Sequence, residues 1–113
     1  MIQIYHNPRC SKSRACENFL SQINQPYEII RYLENPPSFE EIQSLLQKLG
    51  IPAEDLIRKS EKIWKENYKD KLLTETQLIE AMAQNPILIE RPIIVNGNRA
   101  VIGRPLENID KII

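Results

Sequence analysis

The sequence has few of the residues that metal centres, prosthetic groups and disulfide frameworks require. It contains one histidine, two cysteines and three glycines in 113 residues. Two cysteines cannot build a disulfide framework, and three soft ligands in all do not make a convincing zinc site. We therefore expect neither a bound metal nor a bound cofactor.

Net charge and long hydrophobic runs are also absent. Fifteen Lys and Arg residues balance fifteen Asp and Glu residues, which gives no support for binding to a nucleic acid or to an anionic membrane. The longest apolar runs hold three or four residues, whereas a membrane span needs about 20. The first residues show no secretory signal. We expect a cytoplasmic monomer that contacts neither nucleic acid nor membrane.

The composition is typical of one folded domain. We assign this domain to residues 1–113. Hydrophobic residues make up 42% and charged residues 27%, as is usual for a soluble globular protein. The length is sufficient to bury a single hydrophobic core without disulfide or metal staples.

The predicted elements follow the order β-α-β, a helical block, then β-β-α. A strand around Ile2 and Ile4, a helix over residues 11–23 and a strand over residues 27–31 make a βαβ unit, which would be parallel and right-handed. An Asn-Gly pair predicts a hairpin between two later strands. Apolar residues within 106–113 predict a C-terminal helix.

The helical block lies between the second and third predicted strands. Ser38 with Glu41, and likewise Thr74 with Gln77, have the spacing of capping boxes that begin two helices. Residues 52–73 are predicted to form short helices. Together these elements predict an α/β, thioredoxin-like fold, with a four-stranded mixed sheet flanked by helices and with a helical insertion.

Cys10 stands between the first predicted strand and the start of the first helix. The unpaired amides of a helix's first turn and the helix dipole stabilise an anion there, and a thiolate is such an anion. Arg9, Lys12 and Arg14 add positive charge nearby. His6 could add charge or a hydrogen bond. We therefore predict that Cys10 is a reactive thiol rather than a buried structural cysteine.

Cys16 has the opposite surroundings, because it shares the apolar face of the predicted helix with Phe19 and Leu20. We expect it to be a core thiol. The residue three positions after Cys10 is Ser13, so the chain has no C-x-x-C motif at this place. Any disulfide formed in turnover should therefore involve an external thiol.

The motifs along the chain resemble those of the glutaredoxin-coupled arsenate reductase family, which also contains the Spx-type regulators. The resemblance covers nearly the whole chain. The segments that carry it are 5–14 (YHNPRCSKSR), 31–37 (RYLENPP), 56–59 (LIRK), 85–93 (NPILIERPI) and 103–105 (GRP). Ser11-Lys12 stands where those enzymes usually have Gly-Thr, and Lys12 adds charge beside the anion site. The resemblance implies a thioredoxin-like fold with a helical insertion.

The resemblance also implies a set of site residues. Cys10 matches the nucleophile, and the three anion-binding arginines fall on Arg58, Arg91 and Arg104. Pro92 falls where thioredoxin folds hold a cis proline. Three supporting positions near the nucleophile are matched by His6, Ser13 and Arg14. Guanidinium groups suit a tetrahedral oxyanion, because they donate paired hydrogen bonds and stay charged at any relevant pH.

The function that the resemblance implies is the glutathione- and glutaredoxin-dependent reduction of arsenate to arsenite, a step of arsenic detoxification. The Cys10 thiolate would attack arsenic and expel water or hydroxide. Glutathione, a co-substrate rather than a bound cofactor, would attack the adduct, arsenite would leave, and glutaredoxin would resolve the mixed disulfide. The implied partners are arsenate or a similar oxyanion, glutathione and glutaredoxin.

Two other functions stay open from the sequence. A thiol oxidoreductase or glutathione-binding protein of the same fold would use the anion site for the carboxylates of glutathione. An Spx-type regulator would bind RNA polymerase instead. Spx-type proteins usually carry a C-x-x-C switch, whereas this chain has Ser13, and they tend to lack the arginine that Arg104 supplies.

Overall fold

The computed structural model describes all residues from 1 to 113. The chain forms two compact units, of which the first comprises residues 1–35 and 91–113 and the second comprises residues 36–90. The second unit is inserted into the first at the place where the sequence predicts a helical insertion. None of the helices is long and apolar enough to cross a membrane.

The first unit is built on a four-stranded mixed sheet. Its strands are β1 (Ile2–Tyr5), β2 (Tyr27–Ile30), β3 (Ile93–Asn96) and β4 (Arg99–Ile102). The strand order is β2-β1-β3-β4. β1 pairs in parallel with β2 and antiparallel with β3, and β4 pairs antiparallel with β3. The predicted sheet is therefore confirmed in its number of strands and in their mixed directions.

Helix α1 (Ser11–Gln22) connects β1 to β2 and packs on the sheet. Its residues Cys16 and Leu20, one helical turn apart, are both fully buried. They belong to one core cluster with side chains from β1, β3 and the C-terminal segment, namely Ile2, Ile4, Ile94, Ile109 and Ile112. This packing fixes the position of α1 against the strands, and with it the position of the residues at the N-terminus of the helix.

The C-terminal segment differs from its prediction. The pattern predicts a helix over residues 106–113, but Leu106–Lys111 forms a 3-10 helix. The side-chain amide of Asn108 donates to the carbonyl oxygens of Ile102 and Arg104 at 3.0 and 3.1 Å, which ties this segment to the end of β4. A six-residue piece held so closely adopts the tighter 3-10 geometry, which is common in short segments.

The predicted hairpin is confirmed, and β3 and β4 are joined by a two-residue turn. Asn96 pairs with Arg99, so only two residues form the turn. Gly97 has a φ of +67°, a left-handed conformation that glycine adopts without steric cost. The resulting register pairs the first residue of β3 with the last residue of β4. Pro92 and Gly103 therefore meet just beyond the strand ends.

The second unit is helical. It contains α2 (Phe39–Leu49), α3 (Lys62–Asn67) and α4 (Glu75–Gln84), with 3-10 turns at Ala53–Leu56 and Pro86–Leu88. Both predicted capping boxes are confirmed. The Glu41 amide donates to the Ser38 hydroxyl, and the Gln77 amide donates to the Thr74 hydroxyl. These caps satisfy amides that a helix start leaves unpaired.

Candidate active site

Cys10 lies at the N-terminus of α1, immediately after a tight turn. The Cys10 amide donates to the Asn7 carbonyl at 3.0 Å, and the Arg9 amide donates to the Asn7 side-chain oxygen at 3.0 Å. Cys10 is the capping residue of α1 and has an extended backbone. Its side chain is partly exposed. The predicted position between a strand and a helix start is confirmed.

The Cys10 thiol ionises more easily than an ordinary cysteine. Burial is the largest single influence and raises its pKa, but the peptide N–H groups of Ser13 and Lys12 and the guanidinium group of Arg91 together lower the pKa to about 7. The start of a helix also places partial positive charge near the sulfur, which favours the thiolate. The thiolate is therefore formed far more readily near neutral pH than in an ordinary cysteine.

We expect the alkylation of Cys10 by iodoacetamide to follow this ionisation. The rate should rise about tenfold per pH unit below pH 7 and level off above it, because the thiolate is the nucleophile. Cys10→Ala should remove the signal, whereas Cys16→Ala should leave it in place. A midpoint at or above about 8.5, the pKa of an unperturbed cysteine, would contradict an activated thiol.

Two arginines from a distant part of the chain lie at the same sulfur. Arg104 Nη2 donates to Cys10 Sγ at 3.2 Å, although the two residues are 94 positions apart. Arg104 Nε donates to the Arg91 carbonyl oxygen at 2.8 Å, and the Arg91 guanidinium interacts with the Cys10 sulfur and lowers its pKa. The structure therefore brings three of the predicted residues together, namely Cys10, Arg91 and Arg104.

Both of these arginines precede a proline. The Arg91–Pro92 peptide bond is cis, as the resemblance implies, and the Arg104–Pro105 bond is also cis, which the sequence analysis did not predict. The Gly103 amide donates to the Pro92 carbonyl at 2.9 Å. This hydrogen bond continues the β3–β4 pairing and holds the two arginine-bearing segments side by side.

Arg58 lies in the second unit, where two carboxylates hold its side chain. Arg58 Nε lies 3.2 Å from Glu61 Oε2, and Arg58 Nη1 lies 3.1 Å from Glu90 Oε1. The Arg58 amide also donates to the Leu88 carbonyl at 2.7 Å. Neither carboxylate belongs to the predicted site. The spacing of three residues between Arg58 and Glu61 is the one local signal in the sequence for these contacts.

His6 makes its hydrogen bond to Ser13. His6 Nδ1 lies 2.6 Å from Ser13 Oγ, and the same oxygen accepts the Asn7 amide at 2.9 Å. All three residues are buried. Burial is the main cause that lowers the His6 pKa below its ordinary value, so the imidazole is predominantly neutral at pH 7. Of the two contributions predicted for His6, the structure shows a hydrogen bond to the first turn of α1.

Arg14, the remaining supporting residue, lies on the exposed side of α1. Arg14 Nη1 donates to the Pro8 carbonyl at 2.9 Å. Its contact therefore stabilises the turn that precedes the nucleophile.

Cys16 is fully buried, as predicted. Burial raises its pKa to about 11, so it is a neutral thiol at pH 7. Its Sγ donates to the Gly103 carbonyl at 3.3 Å across 87 positions of sequence. Nothing in the sequence indicated this contact, because the helical pattern reports only that Cys16 faces the core.

The chemistry available at this site is that of one thiolate beside fixed positive charge. No group of three or more histidine, cysteine, aspartate or glutamate side chains is arranged to hold a metal ion. Two guanidinium groups and the amides of a helix start can stabilise a negatively charged ligand next to a nucleophile. The arrangement therefore suits attack by sulfur on an anionic substrate.

Known proteins share both the sequence and this architecture. The ArsC family model matches residues 5–112. The chain is 45% identical to the uncharacterized protein YfgD of Escherichia coli K12, over 99% of this chain and 96% of that protein. It is 40% identical to an arsenate reductase of Neisseria meningitidis, over 99% of this chain and 97% of that enzyme.

Among solved structures, an arsenate reductase from Vibrio cholerae superimposes with a TM-score of 0.94 at 42% identity, covering 99% of this chain and 97% of that one. The chain belongs to the ArsC family.

Proposed function

We propose that the protein reduces arsenate to arsenite through an adduct on Cys10, with glutathione and glutaredoxin as the reducing partners. The observation that carries the proposal is the 3.2 Å contact between the Arg104 guanidinium and the Cys10 sulfur at the start of α1. It places a fixed positive charge at a thiol with a pKa of about 7. Relatives that are named arsenate reductases, at about 40% identity over nearly the whole chain, support the choice of substrate.

The positive charge addresses the main electrostatic difficulty of the reaction. Arsenate is an anion near neutral pH, and so is the attacking thiolate, so the two repel each other. Arg91 and Arg104 offset this repulsion, and their planar guanidinium groups match the oxygens of a tetrahedral anion. We assign Arg58 to the same anion on the basis of the family resemblance, with Glu61 and Glu90 fixing the direction of its side chain.

The proposed steps balance in atoms and electrons. The Cys10 thiolate forms a bond to arsenic, and water or hydroxide leaves. The glutathione thiolate then attacks the Cys10 sulfur, the sulfur–arsenic bond breaks, and its electron pair stays on arsenic, which leaves as arsenite. A glutaredoxin thiolate attacks the glutathione sulfur of the mixed disulfide and releases the Cys10 thiolate.

The reaction should therefore need an external thiol. With arsenate, glutathione and glutaredoxin present, we expect arsenite to be formed over many turnovers, and omission of glutathione should stop the reaction. Omission of glutaredoxin alone should leave a glutathione disulfide on Cys10, which mass spectrometry would detect. Sustained turnover without glutathione would contradict the proposal, because Ser13 and the buried Cys16 give the chain no resolving thiol.

A second candidate function is reduction of glutathione mixed disulfides. It is favoured by the same Arg104 contact, because that guanidinium donates to the sulfur itself and so activates the thiol without any bound anion. In this case Cys10 would become glutathionylated by oxidised glutathione, and arsenate would not be consumed. The reaction with arsenate, glutathione and glutaredoxin distinguishes the two functions, because only the first of them forms arsenite.

A further inference from the structure

Gly103 lies directly before Arg104 and is held on two sides. Its amide donates to the Pro92 carbonyl at 2.9 Å, and its carbonyl accepts the Cys16 thiol at 3.3 Å. Gly103 is buried. Its backbone is therefore fixed against helix α1 on one side and against the segment that carries Arg91 on the other.

There is no room for a side chain at this position. A Cβ on Gly103 would lie 2.5 Å from Cys16 Sγ, 2.9 Å from Ile94 Cδ1 and 3.0 Å from Pro92 Cγ. The positive-φ glycines are Gly50 and Gly97, so the requirement at Gly103 is one of space rather than of backbone conformation. Protein cores are packed too densely to absorb such an overlap without movement.

The helix that supplies this contact also supplies the nucleophile. Cys10 caps α1 and Cys16 lies in its interior, about 9 Å further along at the usual rise per residue. Gly103 rests on Cys16, and the next residue, Arg104, reaches Cys10 at 3.2 Å. The positions of Gly103 and of the Arg104 guanidinium are therefore both set relative to the same helix, α1.

We propose that Gly103 is a positioning residue for Arg104: its missing side chain lets its backbone lie close to α1, and this close approach sets the distance between the Arg104 guanidinium and the Cys10 sulfur. A hydrogen bond from a guanidinium to a thiolate depends steeply on distance and angle. A displacement of Gly103 away from α1 therefore weakens the contact that helps to keep Cys10 ionised.

The test measures the pH midpoint of Cys10 alkylation by iodoacetamide in folded variants. Gly103→Ala should raise the midpoint by about one pH unit, which corresponds to the loss of one charge-assisted hydrogen bond. Cys16→Ala alone should leave the midpoint within about 0.3 pH units of the wild type. The double variant Cys16→Ala/Gly103→Ala should return most of the way to the wild-type midpoint, because the nearest clashing atom is gone.

Gly97→Ala is the matched control. It should lower the thermal stability, because Gly97 has a φ of +67°, yet leave the midpoint unchanged, since it lies in the hairpin turn. A midpoint that moves equally in Gly97→Ala and Gly103→Ala would overturn the proposal, as would a folded Gly103→Ala with the wild-type midpoint or a double variant with no recovery.

If Gly103→Ala does not fold, Cys16→Val gives the same test from the helix side. Its additional methyl group should push Gly103 away and raise the midpoint, and an unchanged midpoint would overturn the proposal. The measurement reports thiol ionisation and needs no arsenate. Its outcome is therefore independent of whether arsenate is the substrate.

Discussion

Cys10→Ser should reduce arsenate turnover to the level of the reaction without protein. A serine hydroxyl is scarcely ionised at neutral pH and is a far poorer nucleophile than a thiolate. Serine is a favoured residue at the start of a helix, so the variant should fold, and circular dichroism with thermal unfolding would verify this. The expected loss therefore reports chemistry at sulfur rather than disruption of α1.

Cys16→Ser is the matched control for this experiment. The serine hydroxyl can donate to the Gly103 carbonyl as the thiol does, so the variant should keep most of its activity with a modest loss of stability. If Cys16→Ser were as inactive as Cys10→Ser while still folded, a disulfide within the chain would have to form. The mechanism with an external thiol would then be wrong.

Arg104→Ala should weaken oxyanion binding and raise the pKa of the nucleophile at the same time. A charge-assisted hydrogen bond contributes about 1.5–3 kcal/mol, which is about one to two decades in affinity. The affinity for arsenate, or for sulfate as a non-reacting substitute, is measured by calorimetry, and the thiol midpoint by alkylation. Arg104→Lys should recover part of the loss, because lysine keeps the charge and lacks the planar fork.

The other two proposed arginines are tested in the same way. Arg91→Ala should also weaken binding and raise the thiol pKa, because Arg91 interacts with the sulfur. Arg58→Ala should also weaken binding, because the family resemblance places this guanidinium on the same anion. Arg99→Ala is the control, since Arg99 lies in β4 and donates to the Lys111 carbonyl. Unchanged affinity in all three site variants would show that the assigned anion site is wrong.

Features that depend on neighbouring residues in the sequence could be predicted. The capping boxes at Ser38 and Thr74 need four consecutive residues each, and both are present. The burial of Cys16 follows from helical spacing, and the position of Cys10 follows from the order of a strand, a turn and a helix. In each case the physical cause acts within one or two turns of the chain.

Contacts between distant segments could not be predicted from local patterns. The hydrogen bonds from Arg104 to Cys10 and from Cys16 to Gly103 each join residues more than 80 positions apart. They arise because the β3–β4 register determines where Gly103 and Arg104 lie, and the packing of α1 on the sheet brings Cys10 and Cys16 to the same place. The proximity of the two arginines to the thiol was expected only from family resemblance, and the ion pair of Arg58 with Glu61 was not expected at all.

The first turn of α1 has a further consequence for the energetics of the whole chain. Acidic residues near a helix N-terminus stabilise it, but the first turn of α1 has none and carries Lys12 instead, which is unfavourable beside the positive end of the helix dipole. The Cys10 thiolate is the negative charge that complements this helix end.

Folding and the ionisation of Cys10 are thus thermodynamically linked. The stabilisation of the fold by the thiolate is fully present above the pKa of an unfolded cysteine, about 8.5, and is lost as the pH falls through about 7. A reagent that converts the thiolate to a neutral thioether, such as iodoacetamide, therefore also removes a counter-charge from the fold.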